Sequence, residues 1–585
     1  MILGKNLSDT EKADRLCIEL ERLKTERGAF EATWQEAQSL VASTVLSFPS
    51  NEGDSHSGFD VPARITNRPA NYHETLVSGI CGYAVNPNIT WMKLGLSDQE
   101  AMKGYGVKDW LEEVEQAEYE EFDNSNMYTE QKVVIDQATI FGYGIMLIDE
   151  DELNRQVRYR QIDVTEAYLD TNEHNEYETV FRRFFMSTEN AASHWGLEAM
   201  HEGVRSAWIA DEASGAQKAR ELELLHAVFR RKDAKGGSQR SADMPFASFF
   251  IDIANKHVIE ESGYRSFPYA IFAWDRVGGK KYPLSPAIKA MNDVRLLHKS
   301  EETRLTLAQM AAKQPIAMPE SMRNVTEVFG KDGYIRPGAI IYYDHEAGDQ
   351  VPGGINMGSN YPITLDITKQ QADNIKDWFY VDFFLMLQHQ NISQMTATAV
   401  QALQGEKAAV MTNMIVNLKR ALGVVVQRTY DIMAAQGRLP QLPLALLAPE
   451  GGKGNRMKFT FSSVLSQIQQ AALRYQGAAK FLPAAHSVAT LGQAYPPALE
   501  ALDRFDFDVI LQNEARAAHM PETAIREDDD VEAIKERRQR AAMAQQLADR
   551  QQQQAQAAAQ NYSKLNERPE PGSPAEALFA QQGAW

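Results

Sequence analysis

The sequence predicts an α+β protein, mainly helical, on three observations. Long stretches at both ends and in the middle carry apolar residues at three- and four-residue steps, the helical period. One block, roughly residues 143 to 282, switches to alternating or clustered β-branched and aromatic residues, the strand pattern. The chain has 585 residues, too many for one core, so three or four modules are expected.

The first helix opens at Ser8, three residues before Glu11, which is the spacing of a capping box. Leu16, Leu20, Leu23, Phe30, Trp34 and Val41 follow on one face, and the stretch FPSNEGDSHSGFD ends it. Two more helices are expected near 69–84 and 106–140. GYGIMLIDED, QVRYRQI, YETVFRRFFM, ELELLHAVFRR and FASFFIDIAN then read as strands. Ser285 is an N-cap with Pro286 at the first helical position, so a rod runs from there to Pro315. Its apolar stripe (Ile288, Met291, Val294, Leu297, Leu305, Met310) is thin and broken by Glu301. Short strands between Pro-Gly turns follow. A second rod then carries Ile367, Ile375, Trp378, Phe379, Phe383 and Met386 on or near one face. A long helix with Met411, Met414, Ile415, Leu418, Leu422, Val425 and Ile432 stops at Gly437. The last third reads as helices ending in an Ala/Gln tract, with Asp528, Asp529 and Asp530 favouring a helix start.

Composition excludes several classes. The net charge of −19 argues against general nucleic-acid binding, which needs a basic balance. Cys17 and Cys81 offer no disulfide framework and suggest a reducing compartment. The polar start lacks a signal core, and no run of eighteen apolar residues predicts a membrane span. GGKK and GGKG lack the rest of a phosphate loop, FGYGIML lacks a third glycine, and MHEGV and DHEAG lack a second histidine for zinc. No enzyme is expected, and no metal or cofactor.

What carries identity is the order of non-catalytic stretches: YAVNPNITWMKLGLSD (83–98), WLEEVEQAEYEEFDNSNMYTE (110–130), QATIFGYGIMLIDED (137–151), YPLSPAIKAMNDVRLLHK (282–299), MTATAVQALQGEK (395–407) and QRTYDIMAAQGRLPQLP (427–443). In that order the chain resembles the portal (head-to-tail connector) proteins of short-tailed double-stranded DNA bacteriophages. Ala399 departs from the family pattern, which has an acidic residue there.

The resemblance implies a portal-protein fold assembled as a ring, commonly a dodecamer, at one capsid vertex of the virion, made in the host cytoplasm. Residues 1–283 would be the wing, 284–313 and 366–389 the two stem helices, and 314–365 the clip. The tunnel loop and long wing helix would occupy 390–460 and the crown 461–530. An Ala/Gln helix at 531–560 is a candidate barrel extension, and 561–585 a flexible tail. Implied partners are the terminase large subunit during packaging, a tail adaptor, major capsid and scaffolding proteins, and double-stranded DNA held non-specifically in transit, with no membrane. The alternative is another virion structural protein, such as a tail adaptor or internal injection protein. A hydrolase using the acidic clusters is a distant third.

A channel of this kind must let DNA slide. Each lysine or arginine that neutralises a phosphate releases counterions and deepens a well along the path. The bland stretch with Gln388, Gln390, Asn391, Ser393 and Gln394 suits the tunnel loop, since its amides and hydroxyls exchange hydrogen bonds with little net pull. It also reads as a plain joint between modules. Lys289, Arg295, Lys299 and Arg304 interrupt the first rod and are candidates for facing the channel, or for a solvated face. Tyr334, Arg336, Tyr342 and Tyr343 are candidate clip contacts, because aromatic residues and arginine favour interfaces, or else core residues of short strands.

Overall fold

The structure is a computed structural model. It describes residues 7–44, 64–97, 105–151, 154–214, 220–232, 240–313, 316–319, 340–343, 361–388, 411–443, 446, 457–464, 487–488, 490 and 528–566. The chain divides into two compact units, Met1–Gly477 and Ala478–Trp585.

In the first unit, helix α1 (Asp9–Val41) starts on the expected capping box, with the Ser8 hydroxyl accepting from the Glu11 amide and the Glu11 carboxylate accepting from the Ser8 amide. Its Leu16, Leu20 and Leu23 cover one face of a five-stranded antiparallel sheet, ordered β4 (Ala167–Thr171), β5 (Tyr177–Ser187), β6 (Glu221–Arg230), β7 (Phe246–Asp252) and β8 (His257–Tyr264). Midway along α1, the buried Arg27 guanidinium donates to the carbonyls of Val164, Thr165 and Ala167 at 2.9–3.1 Å and lies over the Tyr168 ring. A charge there is tolerable because every lobe of it meets an oxygen or a π face. Further on, Trp34 packs among Phe30, Phe141, Tyr143 and Tyr282.

A second sheet, β3 (Gln156–Ile162), β2 (Tyr143–Asp151) and β9 (Tyr269–Ala273), is also antiparallel. Helix α2 (Arg68–Ala84) lies where expected. The helix expected over 106–140 is two, α3 (Val107–Asn124) and α4 (Met127–Phe141). The reason for the break is β3. Among the described residues its outer edge meets no strand, and side chains of the α3–α4 corner complete it: Glu121 accepts from the Val157 amide, Asn126 from Tyr159 and Glu130 from Gln161. Asn126 must leave the helix to reach that edge, and an unpaired edge would invite association. Two short helices, α5 (Thr188–Trp195) and α6 (Glu202–Ser214), interrupt the strand block.

Two rods grow out of the same core. Helix α7 (Pro286–Ala312) has Ser285 as its N-cap, the hydroxyl accepting from the Ile288 amide at 2.9 Å. After the parallel pair β10 (Ile316–Pro319) and β11 (Ile340–Tyr343) comes α8 (Tyr361–Trp378), which packs on α7. The second rod therefore starts inside the 314–365 stretch, and it is not continuous to 389: it breaks at Phe379–Tyr380 and resumes as α9 (Val381–Gln388). The cause is tertiary: past the turn, Val381, Phe383 and Phe384 are buried in the core, Phe384 against Gly79 of α2. Helix α10 (Thr412–Ala435) ends before Gly437, which takes φ +67° as a helix stop should.

Strand β12 (Met457–Phe461) pairs antiparallel with β1 (Met92–Leu96), and the Ser462 amide donates to the Trp91 carbonyl. The start of the expected crown, at 461, is thus packed into the first unit. In the second unit the described part is mainly α11 (Asp528–Asn566), which begins at the predicted acidic start. Its described side chains from Lys535 to Gln554 are exposed. Among the described residues no helix is long and apolar enough to cross a membrane.

Candidate channel and interface surfaces

The two rods bury only a narrow stripe each. On α7 the buried positions end at Glu301, and on α8 they are Thr368, Ala372 and Ile375, one per helical turn. Such spacing seals one helix against one neighbour and leaves the remaining faces uncovered. Leu296, Leu305, Leu365, Ile367 and Trp378 are between 41% and 53% exposed, large apolar side chains only half covered among the described residues. Ile367 and Trp378, expected on the apolar face, are thus half-exposed, and the Trp378 indole donates to Asp293 of α7 at 3.0 Å.

Each of the four candidate cations of the first rod has a carboxylate partner. Lys289 pairs with Asp275, Arg295 makes a two-pronged contact with Glu36 of α1, Lys299 meets Glu302 at 2.8 Å, and Arg304 meets Glu301 at 2.6 Å. Glu301, which looked like an interruption of the stripe, is 5% exposed and is also approached by Arg68 at 3.5 Å. The hydrogen bond to Glu36 holds Arg295 above its ordinary pKa, and the same contact holds Glu36 below the carboxylate range. The rod therefore shows compensated charge, with little net attraction for phosphate. The pairs at three-residue spacing were readable in KSEETR. Glu36, 259 positions from Arg295, gave no local signal.

Gln388 ends α9; Gln390, Asn391, Ser393 and Gln394 lie outside the described residues, as do Tyr334 and Arg336. Tyr342 and Tyr343 close the parallel pair of β11 with β10, opposite Met318 and Pro319.

Buried polar chemistry is structural in character. Tyr269, His226 and Ser248 form a chain of hydrogen bonds of 3.0 Å each that joins the two sheets. Burial pushes the His226 imidazole down to about 3, so it stays neutral, and all three side chains are closed to solvent. Burial likewise pushes the Cys81 thiol up to about 12, away from nucleophilic use. Among the described residues no group of acidic, histidine or cysteine side chains could hold a metal ion.

The sequence matches the profile of the family described as "Bacteriophage head to tail connecting protein" over residues 13–525. It is 25% identical over 547 residues to the portal protein of Salmonella phage epsilon15, covering 92% of this chain and 93% of that one. To the probable portal protein of Bordetella phage BPP-1 it is 25% identical over 500 residues, covering 83% and 84%.

Proposed function

The chain belongs to the bacteriophage head-to-tail connecting proteins, and on that premise we propose that copies of it, twelve on the usual pattern, close into a ring at one vertex of the capsid. Double-stranded DNA enters the head through the bore, driven by a docked terminase, and leaves by the same route once the tail is attached. The observation that carries the ring is the set of half-exposed apolar side chains on α7 and α8. Five large apolar side chains half-exposed on two adjacent rods call for a neighbour, and identical rods packed around an axis supply one.

On this reading 1–283 and α10 form the wing that meets major capsid and scaffolding proteins, and α7 and α8 form the stem. Residues 314–360, with Tyr334, Arg336, Tyr342 and Tyr343, form the clip on which terminase and then the tail adaptor dock. The stretch from Gln388 through Gln390, Asn391, Ser393 and Gln394 lines the narrowest part of the bore. The compensated cations of α7 and the chain's net charge of −19 keep the duplex from sticking.

Native mass spectrometry of the purified full chain tests the assembly. A dominant species of about twelve 65.6 kDa chains is expected. A chain that stays monomeric across the concentrations at which virions assemble would refute it, and Leu305→Glu should shift the wild-type oligomer toward smaller species.

A further inference from the structure

The joint between α8 and α9 turns on Tyr380, whose φ of +52° lies in the left-handed region that a bulky side chain rarely adopts. No glycine or proline falls between Pro362 and Gly405, so nothing in the covalent chain ends a helix there. The bend is imposed by packing. The fully buried Phe384 ring lies against the backbone of Gly79 on α2, so close that a Cβ at Gly79 would overlap it. Tyr83 stacks beside the same ring at 6.3 Å, and Phe379, just before the joint, meets His73 edge-on at 6.1 Å.

The backbone shows what the bend costs. The amides of Phe383 and Phe384 both donate to the Tyr380 carbonyl, at 3.1 and 3.2 Å. The helix is interrupted at Phe379–Tyr380, where a continuous one would carry the Val381 and Asp382 amides to the carbonyls of Asp377 and Trp378. Bent and straight forms thus exchange one set of favourable terms for another. The bent form buries Val381, Phe383 and Phe384; the straight form gains two helical hydrogen bonds and returns Tyr380 to a right-handed φ.

We propose that α9 is a two-position latch, docked by Phe384 in the slot over Gly79 and, when released, a straight extension of α8. An eight-residue helix is about 12 Å long, so release redirects the chain leaving Gln388 while α8 stays rooted in the core. Whatever presses on α2 or on α9 shifts the balance between the two positions by its difference in affinity for them. The inference stands on this chain's own packing and holds or fails independently of the ring.

The test uses the full chain carrying Gly79→Val, which fills the slot. One readout is the distance between spin labels at Ser78→Cys and Leu385→Cys, with Cys17 and Cys81 replaced by serine and labelled chains diluted into unlabelled ones. The other is residue-resolved amide exchange. A released latch lengthens the label distance and slows exchange at Val381 and Asp382 by tenfold or more, because both amides enter the helix. A merely structural turn would instead unravel, with faster exchange across Val381–Gln388, or stay unchanged; either result, or any other combination, overturns the proposal. Phe384→Ala, which empties the slot without adding bulk, gives the same reading should the valine variant fail to fold.

Discussion

The side-chain amide of Asn126 holds both backbone groups of Tyr159: its Nδ2 donates to the Tyr159 carbonyl at 2.7 Å, and its Oδ1 accepts from the Tyr159 amide at 3.2 Å. One residue thus does what a neighbouring strand would do for the edge of β3. Asn126→Ala should leave both groups unpaired and cost about 2 kcal/mol. Asn126→Asp, which sets a carboxylate oxygen against the Tyr159 carbonyl and beside Glu130, should be no more stable than the alanine variant. Thermal denaturation followed by scanning fluorimetry orders the three proteins; an alanine variant as stable as the parent would show that water replaces the amide at no cost.

A second prediction concerns Glu118 on α3. It is fully buried, and among the described residues neither carboxylate oxygen has a hydrogen-bond partner. Burial, with Glu115 and Asp431 nearby, raises its pKa well above the ordinary value of 4.5. The folded chain therefore holds this proton more tightly than the unfolded chain does, and Glu118 costs stability as pH rises from the ordinary glutamate value through the raised one. Glu118→Gln should be near neutral at pH 5 and stabilising by roughly 1–2 kcal/mol at pH 8. Equal effects at both values would contradict a neutral buried acid.

The opposite sign is expected at Asp170. Burial opposes its charge, but Lys281 at 2.7 Å and Arg22 at 2.6 Å outweigh that and hold its carboxyl below the ordinary 3.8. Glu26 is lowered too, first by its hydrogen bond from Lys281. These contacts tie α1 to β4 and to the segment before α7. Their contribution is present above the ordinary carboxylate values and is lost as pH falls through the lowered ones. Because the pairs are partly exposed, Asp170→Asn should cost only about 1 kcal/mol at pH 7. The drop in melting temperature between pH 7 and pH 3 should be smaller in the variant than in the parent, and an equal drop would remove Asp170 from the account.

Much of the fold was legible because it rests on local chemistry. The Ser8–Glu11 box, the Ser285 cap with Pro286 and the Gly437 stop all act within a few residues of the ends they mark. The breaks at Asn126 and Tyr380 were not legible. Both stretches read as unbroken helix, and each is interrupted by a partner far away in the chain, Tyr159 in one case and Gly79 in the other. The pairing of β1 with β12 is of the same kind, since no short-range pattern tells Met92 that it faces Phe461. For the surfaces, Lys299–Glu302 and Arg304–Glu301 followed helical spacing, whereas Arg295–Glu36 required the fold.

A channel that must not grip its cargo leads to a further expectation. Gln390→Lys with Gln394→Lys should slow DNA packaging, and the defect should shrink as salt is raised, because phosphate contacts weaken as counterion release loses its advantage. Packaging in a purified head and motor system reads both. A salt-independent defect would mean damaged folding, and unchanged transit would place these amides away from the DNA.

Electron cryomicroscopy of the purified full chain tests the central claim most directly. The account predicts a closed ring whose bore admits B-form DNA, with the Gln388–Gln394 stretch at its narrowest level and the lysines and arginines of α7 paired with carboxylates. An assembly with no aperture wide enough for the duplex, or a bore lined by uncompensated cations, would contradict it.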